Sequence, residues 1–244
     1  MRNLKRALSL ALAAIMLIGM MVVSASAVSY NDLTDKDQIV NKDAVSMLVS
    51  LGIIEGKPDG SYAPTENVDR AQMAKMLSVI MNKGVDNSAL YQSVNSGLTD
   101  ITSHWAKGHI NYCYTTGIIA GRGNGKFDPD AGVTGSEAAK MLLVAVGYDP
   151  AIEGFEGADW AINVSVRADE QGIFEGFTKD LSAPLNRDDA ALLIYNALDV
   201  EMIQSYTTNN YPIVYSDHRT ILSDKYGVIK VEGVVTANEW AILD

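Results

Sequence analysis

Few residues of this chain have the types and spacing that catalysis requires. His104 and His109 lie five positions apart, roughly 140° around a helix, so they do not face one ligand. Cys113 is the single cysteine, and no Gly-x-Ser-x-Gly, His-Glu-x-x-His or Gly-rich phosphate motif occurs. Acidic residues are plentiful but scattered, so any pairing as a glycosidase acid and nucleophile would be arbitrary. We therefore expect no enzymatic activity from these residues.

Two loops resemble calcium-binding loops superficially. Residues 57–61 and 124–130 contain Gly with Asp or Asn. An EF-hand loop requires oxygen ligands at positions 1, 3, 5 and 12, with Gly at position 6. Neither loop has that order, and Phe127 and Pro129 stand where ligands would be. We predict no metal and no cofactor, and a calcium module stays an alternative that stoichiometric Ca²⁺ binding below micromolar would support.

Composition limits the remaining classes of protein. The 244 residues include 19 Lys and Arg against 30 Asp and Glu, a formal net charge of −11. This charge argues against a nucleic-acid partner, because sequence-independent binding needs a basic face that displaces counterions. One cysteine allows neither an internal disulfide nor a Cys-based zinc site. With 48% hydrophobic residues the chain is too apolar to be disordered, so packing or repetition must stabilise it.

The first 27 residues are predicted to be a secretory signal peptide. They begin with three basic residues, continue with an apolar stretch over 7–23 that only Ser9 interrupts, and end in Ala-Ser-Ala at 25–27. Small residues at these last positions favour cleavage after residue 27, and an uncleaved membrane anchor is the alternative. No later stretch reaches the roughly 18 apolar residues of a spanning helix. We expect a secreted chain with no membrane association after cleavage.

An internal repeat determines the predicted fold. Residues 33–79 and 98–144 align without a gap at a constant offset of 65, and 16 of the 47 aligned positions are identical. A third copy follows 55 residues later, around Gly172, and is shorter after its proline, Pro184. Repeats of this length indicate supersecondary units that share one core, because one unit buries too little surface alone.

Each copy is predicted to form a helix, a loop and a second helix. The first helix of copy two is expected at 105–116, with Trp105, Ile110, and Cys113 or Tyr114 on its inner side. A glycine ends each first helix in the left-handed C′ conformation. The second helices are predicted to start with capping boxes, of which the third is the weakest: Asp69-Arg70-Ala71-Gln72, Thr134-Gly135-Ser136-Glu137 and Asn186-Arg187-Asp188-Asp189.

These motifs together resemble the S-layer homology domain family. In copy two the family's marks read Asp100-Ile101-Thr102-Ser103-His104-Trp105-Ala106, Gly117-Ile118-Ile119-Ala120-Gly121 and Phe127-Asp128-Pro129. The resemblance covers about residues 30–200. It implies a mainly α fold, in which three helix-loop-helix repeats pack with pseudo-threefold symmetry around a central helical bundle. It also implies binding of secondary cell-wall polysaccharide, often pyruvylated, in grooves between repeats.

The resemblance implies a set of ligand-binding residues. Arg70 and Arg187 match the family's polymer-contacting arginine, and a helix start adds positive potential for an anion; a surface arginine paired with an acid is the alternative. The other residues are Trp105 and Trp160 as sugar platforms or core residues, Asp35 and Asp100 as hydroxyl acceptors or N-caps, and Gly56, Gly121 and Gly176 as backbone donors or turn glycines.

Every copy departs from the family pattern at one position. Copy one has Val40 in place of the tryptophan, copy two has Gly135 in place of the arginine, and copy three has Phe155 in place of the aspartate. Residues of different copies are expected to complement one another. Arg70 with Trp105, or Arg187 with an element of copy one, are partnerships between which the sequence does not choose.

The chain is expected to divide into five segments and to end in β structure. These are the signal peptide at 1–27, repeats at 28–96, 97–153 and 154–200, and the start of a β-rich segment at 201–244, with strands expected at 211–215 and 227–236. The expected role is non-covalent anchoring to the wall or surface layer of a Gram-positive-type bacterium. Self-assembly into a surface layer, and the anchor of a larger enzyme whose catalytic domain lies downstream, stay open.

Overall fold

A computed structural model describes residues 29–229 of the chain. The predicted signal peptide at 1–27 and most of the strand expected at 227–236 lie outside these residues. Every helix within residues 29–229 is too short or too polar to span a lipid bilayer.

The described chain is mainly helical, as the repeat pattern predicts. Short 3₁₀ turns lie at Tyr30–Asp32, Lys36–Gln38 and Ser88–Tyr91. The helices of the three copies are α1 (Lys42–Ser50), α2 (Arg70–Met81), α3 (Lys107–Thr115), α4 (Gly135–Val146), α5 (Trp160–Glu170) and α6 (Arg187–Ala197).

Local sequence signals set the ends of these helices. The side chains of Asp69 and Thr134 complete capping boxes at the starts of α2 and α4, while Asn186 caps α6 from its own side chain only. The glycines that follow α1, α3 and α5 have φ between +70° and +80°, a conformation that a residue with a Cβ adopts at a cost. The predicted starts and C′ glycines are thus confirmed.

Helix α3 corrects the sequence-based assignment of its inner face. It begins at Lys107 rather than at Trp105, and its buried apolar residues are Ile110 and Cys113. Trp105 is 56% exposed and Tyr114 is 37% exposed, so neither belongs to the core. The physical reason is that Trp105 precedes the first helical turn, where helical periodicity no longer decides which way a side chain points.

The second helix of each copy packs against the first helix of another copy. Helix α2 packs on α3, α4 packs on α5, and α6 packs on α1, which closes a cycle through the three copies. The two helices within one copy therefore do not form the principal packing pair. One continuous apolar cluster contains residues of all three copies.

The segments that precede α2, α4 and α6 also meet in a closed cycle of hydrogen bonds. The backbone N–H of Val68 donates to the carbonyl of Leu185, that of Leu185 to Val133, and that of Val133 to Val68, each at 2.9 Å. All three side chains are buried, and the cycle lies where the three loops converge. It fixes each loop beside the helix start of a different copy.

The C-terminal segment is mixed rather than purely β. Strands β1 (Ile203–Tyr206) and β2 (Pro212–Val214) form an antiparallel hairpin, and β2 lies within the strand expected at 211–215. Helix α7 (Ile221–Tyr226) follows where no helix was expected. Ile221 and Leu222 are buried against the repeats, so this segment shares their core.

We predict that the third copy is required for the first two to fold. A chain of residues 28–153 lacks α6, which covers α1, and lacks Leu185, which closes the hydrogen-bond cycle. It should show no cooperative thermal transition by circular dichroism at 222 nm, whereas a chain of residues 28–229 should unfold in one transition. A sharp transition of the shorter chain with full helicity per residue would contradict the shared core.

Candidate functional site

Three clefts lie between the copies: clefts 1 and 2 combine residues of all three copies, and cleft 3 combines residues of copies one and three. Cleft 1 contains the loop of copy one, Trp105 of copy two and Arg187 of copy three, and has a volume of about 300 Å³. Cleft 2 contains the loop of copy two, Arg70 of copy one and Trp160 of copy three, and has a volume of about 490 Å³. Each of these two clefts therefore takes its arginine and its tryptophan from different copies.

The arginine of cleft 1 lies on an aromatic ring. The guanidinium carbon of Arg187 is 4.7 Å from the ring centroid of Tyr62, and Nε donates to the Tyr62 carbonyl at 2.6 Å. Nη2 donates to the carbonyl of Glu55 at 3.2 Å, and Nη1 has no hydrogen-bond partner in the described chain. These contacts orient the guanidinium and leave donors for an anion.

Arg70 occupies the equivalent place in cleft 2 but is more buried. Its guanidinium carbon lies 4.5 Å from the ring centroid of Phe127, and it donates to the carbonyls of Phe127 and Ala120, both at 3.0 Å. Burial, together with the charge of Arg122, lowers the pKa of Arg70 to about 10. The guanidinium is still protonated at neutral pH.

The structure agrees with one of the two partnerships that the sequence left open and differs from the other. Arg70 shares cleft 2 with Trp160, not with Trp105, whereas Arg187 does combine with the loop of copy one. The reason is the cyclic arrangement, which places the start of each second helix on the loop of a different copy.

The two tryptophans that line clefts 1 and 2 differ in exposure and in their neighbours. Trp105 is exposed and lies beside two histidine rings, with centroid distances of 5.5 Å to His104 and 6.3 Å to His109. Trp160 is half-buried, and Nζ of Lys140 lies 5.6 Å from its ring centroid. Both rings are large enough to cover the apolar face of a sugar.

Cations that were not singled out from the sequence complete the two clefts. Lys75 and Lys57 line cleft 1, and Lys140 and Arg122 line cleft 2. Lys75 and Lys140 belong to the Ala-Lys-Met-Leu block that is identical in copies one and two. The recurrence of a lysine within this otherwise apolar block is the sequence signal that could identify them.

Cleft 3 lacks the features that clefts 1 and 2 share. It contains Val40 in place of a tryptophan, and Leu192 in place of the lysine, and its carboxylates are Asp188 and Asp189. Its glycine of the predicted set, Gly176, lines the same cleft. The volume is about 280 Å³, so the difference from cleft 1 is one of charge and ring surface rather than of size.

Gly135 stands where cleft 3 would need its arginine, and the loop of copy three covers it. A Cβ at Gly135 would lie 3.1 Å from both Cα and Cδ2 of Leu181. The loop position that is Tyr62 in copy one and Phe127 in copy two is Ser182 in copy three, so no ring is available beneath a guanidinium. Restoring the arginine at residue 135 would therefore not rebuild the site.

The carboxylates of Asp35 and Asp100 hold the loops. Asp35 accepts hydrogen bonds from the backbone N–H of Tyr62 and Ala63, both at 2.7 Å, and makes no N-cap bond. Asp100 accepts from Phe127 and from the residue after it, at 3.0 Å and 2.8 Å. Neither aspartate is among the residues that line the clefts, so these carboxylates position the rings on which the arginines lie.

Two glycines that line the clefts have N–H groups without an acceptor in the described chain, whereas the first N–H groups of α2 are already bonded. The first N–H groups of α2 are satisfied, since Arg70 and Ala71 donate to carbonyls of the copy-two loop and Gln72 donates to Asp69. Gly56 lines cleft 1 and Gly121 lines cleft 2, and their N–H groups have no acceptor among the described residues. An anion in these clefts would meet side-chain cations and glycine N–H groups.

The described part of the chain contains no group of three or more His, Cys, Asp or Glu residues that could hold a metal ion. The single thiol, Cys113, is fully buried, and burial raises its pKa, so it is not a nucleophile. Clefts lined by cations and aromatic rings define a binding module.

Comparison with known proteins agrees with this class. The model of the S-layer homology domain matches residues 29–74 and 97–139, in copies one and two. The "Cell surface protein" of Thermoanaerobacter kivui is 31% identical over 209 residues, which are 84% of this chain and 26% of that protein. The "S-layer protein" of Bacillus licheniformis is 32% identical over 113 residues, 46% of this chain and 12% of that protein. Residues 29–74 and 97–139 thus belong to the S-layer homology domain family.

A relative that is named as an enzyme matches the same region. The "Exoglucanase XynX" of Acetivibrio thermocellus is 27% identical over 192 residues, 72% of this chain and 17% of that protein. The chain thus spans about a quarter or less of the length of the relatives described here.

We predict that Gly135→Arg destabilises the protein. The new side chain would collide with Leu181, and overpacking of this kind costs about 1–3 kcal/mol of unfolding free energy. Denaturant titration of the variant measures this loss. Lys42→Arg, at the exposed first position of α1, is the matched control and should leave the midpoint unchanged. A Gly135→Arg variant as stable as the parent would show that the loop moves aside freely.

We predict that Asp100→Asn loosens the loop of copy two and weakens the acid dependence of stability. Partial burial acts to raise the pKa of Asp100, but the N–H groups of Phe127 and Asp128 outweigh it and lower the pKa. Because the folded-state pKa is depressed, this stabilisation is present above the ordinary pKa and is lost as pH falls below about 4.

The Asp100→Asn variant should lose about 1–2 kcal/mol of unfolding free energy at pH 7. The difference from the parent should narrow towards pH 2 in urea titrations. A constant difference across this pH range would exclude the charged carboxylate as the source.

Proposed function

We propose that this chain anchors an exported protein to the bacterial cell wall by binding secondary cell-wall polysaccharide. The ligand is an anionic, pyruvylated polymer, and clefts 1 and 2 bind it. The observation that carries this proposal is that each of these clefts combines an oriented arginine, a lysine and a tryptophan from three different copies.

The chemistry of a pyruvylated sugar fits these clefts. Its carboxylate would accept hydrogen bonds from an arginine fork and from a lysine, which are Arg187 with Lys75 in cleft 1 and Arg70 with Lys140 in cleft 2. The tryptophan would cover a sugar face, and the glycine N–H groups would reach ring hydroxyls or the carboxylate. Cleft 3 supplies neither arginine nor tryptophan, so we assign it no anionic ligand.

The acidic chain and the anionic ligand are reconciled by the short range of the interaction. The net charge of −11 repels a polyanion at a distance, but this repulsion is screened beyond about 8 Å at physiological ionic strength. Within clefts 1 and 2 the cations outnumber the carboxylates. Binding is therefore local and is expected to need contact rather than long-range attraction.

We further propose that residues 154–200 form a third repeat of the same family and that the three copies are related by a pseudo-threefold axis. The cyclic helix pairing and the cyclic hydrogen bonds of Val68, Leu185 and Val133 support this relation. The family model matches copies one and two, and the departures at Ser182 and Leu192 lie in the loop and second helix of copy three.

A second candidate function is that this chain is the anchor of a larger surface enzyme. The match to an exoglucanase supports this role, because the chain covers only 17% of that enzyme. The matches to the cell surface protein and the S-layer protein favour a structural role, including self-assembly into a surface layer. Wall binding through clefts 1 and 2 is common to both candidates.

We predict that the double variant Trp105→Ala/Trp160→Ala weakens co-sedimentation with cell-wall sacculi by roughly tenfold, because it removes from each cleft a sugar platform worth about 1–1.5 kcal/mol. Val40→Ala, at the equivalent place in cleft 3, is the matched control and should bind like the parent. Sacculi stripped of polysaccharide should bind none of the variants. Equal binding of the parent to stripped and intact sacculi would contradict the proposal.

A further inference from the structure

The third residue of each second helix lies in a cleft and differs among the copies. It is Gln72 in cleft 1, Glu137 in cleft 2 and Asp189 in cleft 3. The first two side chains accept a hydrogen bond from their N-cap residue, Asp69 N–H at 3.3 Å and Thr134 N–H at 3.1 Å. A neutral amide and a carboxylate thus hold the same structural position in clefts 1 and 2.

The carboxylate of Glu137 is surrounded by the cations of cleft 2. It forms an ion pair with Arg122, and its Oε1 lies 3.8 Å from Nη1 of Arg70. The side chain is only 10% exposed, so this interaction is weakly screened. An anionic ligand of cleft 2 must compete with Glu137 for both arginines.

Cleft 1 has no carboxylate at this position. The residue equivalent to Arg122 is Lys57, and Lys57 pairs with Glu66, which is not among the residues that line the cleft. The carboxylate that does line cleft 1, Glu55, is 71% exposed and lies 3.4 Å from Lys75. In cleft 1 the residue at this position, Gln72, is neutral, whereas in cleft 2 the carboxylate of Glu137 lies beside Arg70.

We propose that Gln72 and Glu137 determine the anion preference of the two clefts, so that cleft 1 is the high-affinity site for the acidic sugar and cleft 2 is the weaker one. The inference rests on the proposed function, because it ranks the sites that the function requires. The ligand class is a sugar that carries a carboxylate, and the ranking disappears for a neutral sugar of the same shape.

The chain offers a reciprocal test, because Gln and Glu are isosteric and both complete a capping box. The variants are Gln72→Glu and Glu137→Gln in the full chain. The probe is a methyl hexoside with a pyruvate ketal, and the methyl ester of that ketal is the neutral control. Tryptophan fluorescence reports binding at each cleft separately. For cleft 1, Trp105 is kept as the only tryptophan, and for cleft 2, Trp160 is kept, while the other tryptophans are replaced by Phe.

We expect the acid to bind about tenfold more tightly at cleft 1 than at cleft 2. Glu137→Gln should tighten the Trp160-reported dissociation constant by about tenfold, and Gln72→Glu should weaken the Trp105-reported constant by a similar factor. Neither effect should appear with the methyl ester, because the ester carries no charge for a carboxylate at residue 72 or 137 to repel. Thermal midpoints, measured for each variant, verify that the fold is intact.

The outcomes separate this inference from the function on which it rests. If the parent binds sacculi and the acid but both swaps leave the constants within twofold, the inference is overturned and wall binding stands. If the swaps alter acid and ester equally, the effect is steric and the inference is also overturned. If the parent binds neither sacculi nor the acid, the proposed function fails and this ranking fails with it.

Discussion

The cycle of backbone hydrogen bonds among Val68, Leu185 and Val133 is the constraint on which the clefts depend. It brings three chain segments that are far apart in sequence to one point and fixes the direction in which each continues. Because each segment leads directly into a second helix, the starts of α2 and α6 lie on loops of other copies. Arg70 thereby reaches Phe127, and Arg187 reaches Tyr62. An arginine at the start of a helix becomes a cleft residue only through this arrangement.

The loops are as well supported as the helix starts. Asp35 and Asp100 bind the N–H groups of the aromatic residues and their successors, and the aromatic rings in turn support the guanidinium groups. The hydroxyl of Tyr62 also donates to the carbonyl of Arg187 at 2.7 Å, which ties loop and helix together in both directions. A cleft built in this way is preorganised, so binding need not order the arginine.

Much of the helical framework could be predicted from the sequence, because caps, C′ glycines and the constant repeat offset are local signals. The starts of α2, α4 and α6 follow from the polar residues that precede them. The pairing of helices between copies could not be predicted, because the periodicity of a helix shows which face is apolar but not which neighbour covers it. Helix α7 was missed because its six residues lie between β-like segments and are stabilised by burial of Ile221 and Leu222.

The sequence singles out the arginines and tryptophans that line clefts 1 and 2, but it does not show which arginine shares a cleft with which tryptophan. Trp105 and Gly135 hold the tryptophan and arginine positions of the same copy in the sequence, whereas in the structure Trp105 lines the same cleft as Arg187 of copy three. The roles first considered for Asp35 and Asp100 omitted loop support, because hydrogen bonds to residues 27 positions away leave no local pattern. The difference between clefts 1 and 2, which contain an arginine and a tryptophan, and cleft 3, which contains neither, likewise becomes visible only when residues of several copies are combined.

The contact between α6 and α1 has a consequence for how the protein acquires its structure. These helices are separated by more than 130 positions along the chain, so their docking requires closure of a long loop at high contact order. The interfaces α2–α3 and α4–α5 join nearer neighbours and are entropically less demanding. The folding route with the lowest loop-closure entropy forms these two interfaces first and docks α6 last. Cleft 1, which needs Arg187, is then completed only at the final step.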